Sequence, residues 1–242
     1  MATAQPRRIS KLKVAGAAAL LALFAFLLYQ FGLFVMVVWL CFRNPGSSAF
    51  MEATLTELRA ADPKARLSHQ WMPYGQISSS LKRAVIAAED ANFIAHDGVE
   101  WEAIKKAWEY NLRQAEQGRS KLRGGSTITQ QLAKNLFLSS SRSYWRKGQE
   151  LILTYMIEAV MSKRRILELY LNLAQWGRDV FGAQAAARHY YRTDAARLGP
   201  SQAARLAAML PNPAFYDERG ATSYLRSRAA TIQQRMRLVE IP

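Results

Sequence analysis

The most extended hydrophobic pattern in the chain is one apolar run near its start. From Val14 to Phe42 no residue is charged, and Gln30 is the only strongly polar side chain. A helix of this length rises roughly 40 Å, which is enough to cross the hydrocarbon core of a bilayer with some tilt. We therefore predict a membrane-spanning helix over 14–42, preceded by a short tail over 1–13.

Basic residues are distributed unevenly around this run. Arg7, Arg8, Lys11 and Lys13 precede it, whereas only Arg43 follows it closely. Because positive charge is retained on the cytoplasmic side of a membrane, we expect the N-terminus in the cytoplasm and the rest of the chain outside.

A cleaved signal peptide is the alternative interpretation of the same segment. The apolar region of a signal peptide usually has about 7–15 residues and is followed by small residues at the cleavage site. This run is longer and ends in the bulky side chains of Trp39, Leu40 and Phe42. The pattern therefore favours a retained anchor.

Beyond the anchor, apolar residues recur at helical spacing. Residues 43–70 contain a Pro-Gly turn and a short helical pattern over 49–61, and we interpret them as a connector. Residues 71–242 form the predicted domain, without a clear alternating strand pattern. Its helical sets are Leu81, Val85 and Ala88; Trp101, Ile104, Trp108 and Leu112; Leu151, Tyr155, Ile157 and Met161; Ile166, Leu169, Tyr170 and Leu173; Leu206, Met209 and Leu210. The predicted fold class is all-α.

Charge and composition narrow the classes of partner. The chain has 33 Lys and Arg against 18 Asp and Glu, a formal net charge of +15. Such an excess indicates an anionic partner: a nucleic acid, an anionic membrane or a phosphorylated substrate. A single cysteine and three scattered histidines exclude an intramolecular disulfide framework, a zinc ribbon and an HExxH metal site.

Residues 89–98 form the first polar cluster that could carry chemistry. Glu89 follows the apolar run 84–88, so we expect it near the end of a helix whose neighbours are buried. Burial raises the pKa of a carboxyl group, which is one requirement for a general base that works near neutral pH. Taken alone, the cluster is more typical of an ordinary charged helix end with a turn at His96 and Gly98.

A second cluster begins at Gly124 and Gly125 and leads into a predicted helix. Thr127 and Gln130 have the spacing of a capping box, which predicts a helix N-terminus with free amide donors. Such an end favours an anion, and Lys134 lies further along the same helix. A plain loop followed by a capped helix has the same pattern.

A third cluster places Arg142, Arg146 and Glu150 at intervals of four residues. On a helix these side chains share one face and can reach one site together. A ladder of ion pairs on a solvated helix face is the ordinary alternative.

Together, these clusters resemble the motifs of the peptidoglycan glycosyltransferases, glycosyltransferase family 51. The matching segments are E-D-x-x-F-x-x-H-x-G at 89–98, G-G-S-T-I-T-Q-Q at 124–131, R-K-x-x-E at 146–150, K-x-x-I-L-E-x-Y-L-N at 163–172, and a helix that runs into Leu-Pro at 205–211. Five motifs in the family's order, over about residues 71–215, are too extensive a match for chance. With one anchor and no transpeptidase module, the chain is most similar to the monofunctional biosynthetic transglycosylases of that family.

The resemblance implies a lysozyme-like all-α domain with a membrane-associated jaw. The implied reaction polymerises lipid II into β-1,4-linked glycan and releases undecaprenyl pyrophosphate, with inversion at the anomeric carbon. By the motif match, Glu89 is the base that deprotonates the C4 hydroxyl of the acceptor N-acetylglucosamine, and Asp90 supports its position. Glu150 matches the second functional carboxylate.

The pyrophosphate leaving group gains negative charge, so cations and hydrogen-bonding side chains of the second and third clusters are expected to bind it. They are Ser126, Gln130, Lys134, Arg142, Arg146 and Lys147. No cofactor is required by this scheme, and no metal ligand is assigned. For Glu150 three roles are open: orienting these cations, assisting the pyrophosphate, or helping to hold a divalent cation, Mg²⁺ or Mn²⁺.

The expected partners are lipid II, the growing glycan chain, the membrane bilayer and other cell-wall synthases, but no nucleic acid. The expected location is the bacterial inner membrane, with the catalytic domain on the periplasmic side. Trp101 and Trp108 are expected in the core, with contact to the membrane interface as the alternative. The rival functions are a lytic enzyme that cleaves glycan and a membrane-anchored protein that binds nucleic acid or acts as a scaffold.

Overall fold

The computed structural model describes residues 11–119, 124–138 and 143–242. Within these ranges the chain is mainly helical. The helices are α1 (Lys11–Phe42), α2 (Ala49–Ala61), α3 (Ser79–Glu89), α4 (Trp101–Glu116), α5 (Ile128–Phe137), α6 (Tyr144–Val160), α7 (Lys163–Leu173), α8 (Ala183–Tyr191), α9 (Pro200–Met209), α10 (Pro213–Arg219) and α11 (Ser223–Arg235). Two short strands, β1 (Ser68–His69) and β2 (Val180–Phe181), pair in parallel. The predicted all-α class is confirmed.

Local sequence explains where many of these helices begin. In six of the described helices a Ser or Thr side chain accepts a hydrogen bond from a backbone N–H of the first turn: Ser48, Ser78, Thr127, Ser143, Ser162 and Thr222. Such a cap stabilises a helix by about 1 kcal/mol. At α5 the Gln130 side chain also accepts from the Thr127 backbone N–H at 3.0 Å, which confirms the predicted capping box.

The core joins two groups of helices. In the first group α9 packs against α3 and α11, and in the second α5 packs against α6 and α7. Helix α7 contributes much of this core, because Ile166, Leu169 and Tyr170 are all buried. The C-terminal end of α3 meets the N-terminal end of α5, so the first two sequence clusters lie where the two groups meet.

Helix α1 has two different parts. Its first half exposes large apolar side chains such as Leu20, Leu21 and Phe24, and the helix is long and apolar enough to cross a membrane. Its second half docks on α6, where Gln30 and Gln149 exchange two amide hydrogen bonds of 2.7 and 3.0 Å. These features are consistent with a membrane anchor that is attached to the domain.

The predicted connector folds against the domain. Helix α2 packs on α5, Met51 is buried, and the Phe50 ring contacts the edge of the Phe181 ring. Strand β1 then pairs with β2. The boundaries 1–13, 14–42, 43–70 and 71–242 stay predictions.

Helix α4 corrects one expectation from the sequence. Trp101 and Trp108 were expected in the core, but they are 60% and 67% exposed, and Leu112 is 48% exposed. Instead, Ile104 and Ala107 of this helix lie close to Gly125, in the second cluster. The helical periodicity of the apolar residues is therefore real, but the stripe that carries the two tryptophans faces away from the protein.

Candidate active site

Glu89 is the last residue of α3, and the expected burial of its side chain is confirmed. Its Oε2 accepts a hydrogen bond from Gln131 Nε2 at 2.9 Å. Its Oε1 lies 3.7 Å from Arg228 Nη2 and, among the described residues, is buried without a hydrogen-bond partner. Burial raises the pKa of Glu89, whereas the Gln131 hydrogen bond and the charges of Arg228 and Lys134 oppose that shift.

The Gln131 amide is held in the orientation that serves Glu89. The Tyr170 hydroxyl donates to Gln131 Oε1 at 3.0 Å, so the Nε2 end of the amide is directed at the carboxylate. Tyr170 is fully buried, and burial raises its pKa well above the ordinary value. The phenol therefore keeps its proton and remains a hydrogen-bond donor.

Asp90 joins the first two motifs. Its Oδ2 accepts from the backbone N–H of Ile128, in the first turn of α5, at 3.0 Å. A carboxylate at this position is favoured by the helix dipole. The Gly98 N–H donates to His96 Nδ1 at 3.1 Å, so the ring proton is on Nε2, which donates to Asp90 Oδ1 at 2.8 Å. This geometry fits the supporting role predicted for Asp90, which stays a prediction.

Gly98 is required by the close approach of α6. Its φ is +84°, and a Cβ there would lie 2.7 Å from both Glu158 Cγ and Thr154 Cγ2. Its carbonyl accepts from the Thr127 hydroxyl at 2.6 Å. The glycine therefore lets the loop after α3 pack closely against α6 and the start of α5.

We expect Gly98→Ala to lower the free energy of unfolding by about 2–4 kcal/mol, because it combines backbone strain with a steric overlap. Gly118→Ala is the matched control, since Gly118 also has a positive φ, +65°, but has open space around its Cβ position. That control should cost only about 1–2 kcal/mol of strain. Urea unfolding of both variants in detergent measures the difference, and equal costs would contradict the steric argument.

The third cluster surrounds a second buried carboxylate. Arg146 Nη1 donates to Glu150 Oε2 at 2.9 Å, as the shared helix face predicts, and Lys147 Nζ makes an ion pair with Oε1. Lys147 also lies 3.4 Å from Ser126 Oγ. Burial lowers the pKa of Lys134; Glu150 opposes this shift, and Arg146 and Lys147 add to it. Arg142 lies outside the described residues.

One cavity is lined by residues of the first two clusters and of α11. It has a volume of about 590 Å³ and is lined by Glu89, Gln131 and Ser126 on one side and by Arg228 with two tyrosines, Tyr216 and Tyr224, on the other. Ser126 extends the site through Lys147 to Glu150. The arrangement places in a polar cavity a carboxylate whose Oε1 accepts no hydrogen bond from the described residues, and the edge of that cavity leads through Ser126 to a cluster of cations.

The structure adds information on three residues that the sequence did not supply. Gln130 is buried, and its Oε1 is used in the capping box; its predicted contact with pyrophosphate stays a prediction. Gln131 was not singled out, although it is the last residue of the second motif. Arg228 was also missed, and because it lies in α11, outside all five motifs, no sequence pattern pointed to it.

One group of side chains has the composition of a metal site. The ligand atoms of Asp90, His96 and Glu100 lie within 4.8 Å of one another. Both Asp90 oxygens already accept hydrogen bonds, and Glu100 Oε1 accepts from Asn92 Nδ2 at 2.6 Å. Protein donors therefore satisfy this group. We predicted that no cofactor is required, with a divalent cation at Glu150 as the alternative. Both stay predictions.

Comparison with known proteins identifies the family. The model of a family described as Transglycosylase matches residues 54–237. Relatives described as biosynthetic peptidoglycan transglycosylases occur in Bordetella pertussis, 65% identical over 98% of both chains, and in Bordetella avium, 63% identical over 99% of this chain and 100% of the relative. Another, from Methylobacillus flagellatus, is 54% identical over 92% of this chain and 96% of its own. As its motifs and cavity indicate, the chain belongs to the peptidoglycan transglycosylase family.

Proposed function

We propose that this transglycosylase polymerises lipid II into β-1,4-linked glycan strands, with inversion at the anomeric carbon and release of undecaprenyl pyrophosphate. One observation carries the proposal. Glu89, whose buried Oε1 has no hydrogen-bond partner among the described residues, lines the same cavity as Ser126, and Ser126 lies 3.4 Å from Lys147, one of the cations paired with Glu150. This group transfer needs a base and, close to it, a region that binds an anion.

In the proposed step, Glu89 takes the proton from the C4 hydroxyl of the acceptor N-acetylglucosamine. The hydroxyl oxygen forms a bond to C1 of the donor sugar, and the bond from C1 to the pyrophosphate oxygen breaks. Attack on the face opposite the leaving group produces inversion. Because a base must be ionised to accept a proton, the cations Arg228 and Lys134 favour the reactive state of Glu89.

The leaving group takes the bonding electron pair and gains negative charge. Lys134, Arg146 and Lys147 supply positive charge where this charge develops, and Glu150 holds two of these cations in place. In this proposal Ser126 and Gln130 add hydrogen bonds, and Arg142 adds a further cation. Pyrophosphate is already a good leaving group, so a strong general acid is unnecessary.

The second carboxylate argues against the lytic alternative. Glycoside hydrolysis typically uses two carboxyl groups that flank the bond, one of them as an acid. Here Glu150 is paired with Arg146 and Lys147, which suits an anionic leaving group. Uncharged glycan would give these cations nothing to neutralise.

The anchor suits a substrate that is confined to the membrane. We propose that α1 spans the inner membrane with its N-terminus in the cytoplasm, so that the cavity faces the periplasm. Because lipid II is held in the same bilayer, attachment raises the effective concentration of the enzyme near it. The growing glycan chain is the second partner, and association with other cell-wall synthases stays a prediction.

The exposed stripe of α4 is proposed to contact the membrane interface. We expect Trp101→Gln with Trp108→Gln to change the free energy of unfolding by less than about 0.5 kcal/mol, because both side chains are exposed. In liposomes the same variant should lose part of the tryptophan quenching by brominated lipid. Trp176→Phe is the opposite control, since Trp176 is buried: stability should fall and lipid quenching should persist. Unchanged quenching in the double variant would contradict membrane contact.

Incubation of the detergent-solubilised protein with labelled lipid II tests the proposed reaction. The expected product is a polymer that lysozyme digests and that moenomycin, a phosphoglycolipid inhibitor of this family, suppresses. Release of fragments from preformed glycan, without polymer, would instead establish a lytic enzyme.

A further inference from the structure

Buried polar atoms without a hydrogen-bond partner indicate where a ligand would bind in the cavity. In the described part of the chain, three buried side-chain atoms have no hydrogen-bond partner: Glu89 Oε1, Arg228 Nε and Arg146 Nε. Most buried polar groups in folded proteins are paired, so each exception requires an explanation. Arg146 belongs to the cations around Glu150. The other two belong to residues that line one cavity from α3 and α11.

The Glu89 and Arg228 side chains face each other without completing a hydrogen bond. Arg228 Nη2 lies 3.7 Å from Glu89 Oε1, which is within the range of an ion pair but longer than a good hydrogen bond. The carboxylate oxygen can accept a proton from a ligand, and the guanidinium Nε–H can donate to one. A ligand that satisfies both atoms therefore needs a donor hydroxyl and an acceptor oxygen close together.

Adjacent equatorial hydroxyls of a pyranose ring provide this pair. We propose that Arg228 binds the acceptor sugar, its Nε donating to the C3 hydroxyl oxygen while Glu89 accepts the proton of the neighbouring C4 hydroxyl. This inference rests on the proposed function, because it names the contact that orients the acceptor for Glu89. It gives α11, which carries none of the five motifs, a direct part in substrate recognition.

Arg228 also acts on the charge of Glu89. The groups that face Glu89 are Asp90 beside it, Lys134 with Gln131 on α5, Tyr170 on α7 and Arg228 on α11. Burial raises the pKa of Glu89, and the Arg228 charge opposes this rise. Without that charge, the pKa of Glu89 should rise further. Because the base works in its ionised form, the acid limb of the activity profile should then move to higher pH.

Two substitutions separate these roles. Arg228→Met removes both the charge and the donor, whereas Arg228→Lys keeps a charge but lacks the guanidinium Nε–H. Arg226→Met is the matched control, because Arg226 is exposed on the same helix, does not line the cavity and donates to the Ala221 carbonyl at 2.9 Å. Thermal unfolding of each variant establishes that the fold is retained; should Arg228→Met not fold, Arg228→Lys carries the test.

Steady-state kinetics of the full chain with lipid II, measured across pH, provide the first readout. We expect Arg228→Met to raise the apparent KM by on the order of 10-fold or more, the usual size of a lost hydrogen bond to a charged group. It should also shift the acid limb to higher pH. Arg228→Lys should raise KM with little shift of that limb, and Arg226→Met should match the unsubstituted protein. If Arg228→Met and Arg228→Lys both match Arg226→Met, the inference is wrong even where polymerisation is intact.

Binding without turnover provides the second readout. In the Glu89→Gln background, a soluble N-acetylglucosaminyl-N-acetylmuramyl peptide is titrated against the protein with and without Arg228→Met. We expect the disaccharide peptide to bind more weakly to the double variant than to Glu89→Gln alone. A 3-deoxy-glucosamine analogue should bind equally to both. Equal binding of the natural disaccharide overturns the inference. Failure of the unsubstituted protein to polymerise lipid II would instead overturn the proposed function.

Discussion

Glu89→Gln is expected to reduce lipid II polymerisation by on the order of 10³-fold or more, within the range that general bases contribute. Glutamine is close in shape to glutamate and can still accept from Gln131, so lipid II should bind nearly as well as before. Initial rates and binding, measured on the same preparation, separate the two effects. Glu102→Gln, at an exposed position of α4, is the control and should retain full activity.

The pH dependence supplies a further check on Glu89. Burial raises the pKa of Glu89, so activity should fall on the acid side at a higher pH than an exposed glutamate would give. The same shift means that Glu89 contributes most to stability at low pH and that this contribution is lost as pH rises through its raised pKa. The thermal midpoint of Glu89→Gln at neutral pH should therefore equal or exceed that of the unsubstituted protein. Substantial turnover in the variant would overturn the assignment.

Glu150→Gln is expected to lower kcat/KM for lipid II by on the order of 10²-fold, comparable to the loss of one electrostatic contact in an active site. Glutamine keeps the shape of the side chain but removes the charge that holds Arg146 and Lys147. These cations then repel one another and no longer converge on one place. Rate measurements over a range of lipid II concentrations give the value.

The pKa of Lys134 provides a second test of the proposed role of Glu150. Burial lowers the pKa of Lys134 and Glu150 opposes the shift, so loss of Glu150 should lower that pKa further. Lys134 would then lose its charge at a lower pH, and the alkaline limb of the activity profile should move to lower pH. Glu168→Gln is the control: Glu168 pairs with Arg165 at 2.6 Å, and its loss should cost stability without moving that limb. An alkaline limb unchanged in Glu150→Gln would contradict the proposed arrangement.

Features that depend on neighbours in sequence could be predicted. The span of α1 follows from an uninterrupted apolar run, and the start of α5 follows from the spacing of Thr127 and Gln130. Burial of Glu89 follows from the apolar residues just before it. Each depends on one turn of helix or one continuous segment, where periodicity and capping chemistry act directly.

Features that depend on distant segments could not be predicted. The α4 pattern identifies a helix with an apolar stripe, but it does not say whether that stripe meets protein or lipid. Tyr170 orients Gln131 across 39 positions, and Arg228 approaches Glu89 from α11. Such contacts arise only when the two groups of helices assemble. A single sequence therefore pointed to Glu89 but not to the residues that orient its carboxylate.

The amide pair between Gln30 and Gln149 means that the anchor is not an interchangeable tether. A buried amide without a hydrogen-bond partner is costly. Any apolar helix could hold the enzyme at a bilayer, but a helix with leucine at position 30 would leave Gln149 unsatisfied beside Glu150. One face of the anchor, which carries Gln30, Val37 and Leu40, is therefore constrained as a protein interior is. Residues on the opposite face can be exchanged for other apolar residues. Substitutions should therefore accumulate faster on that face than on the docked one.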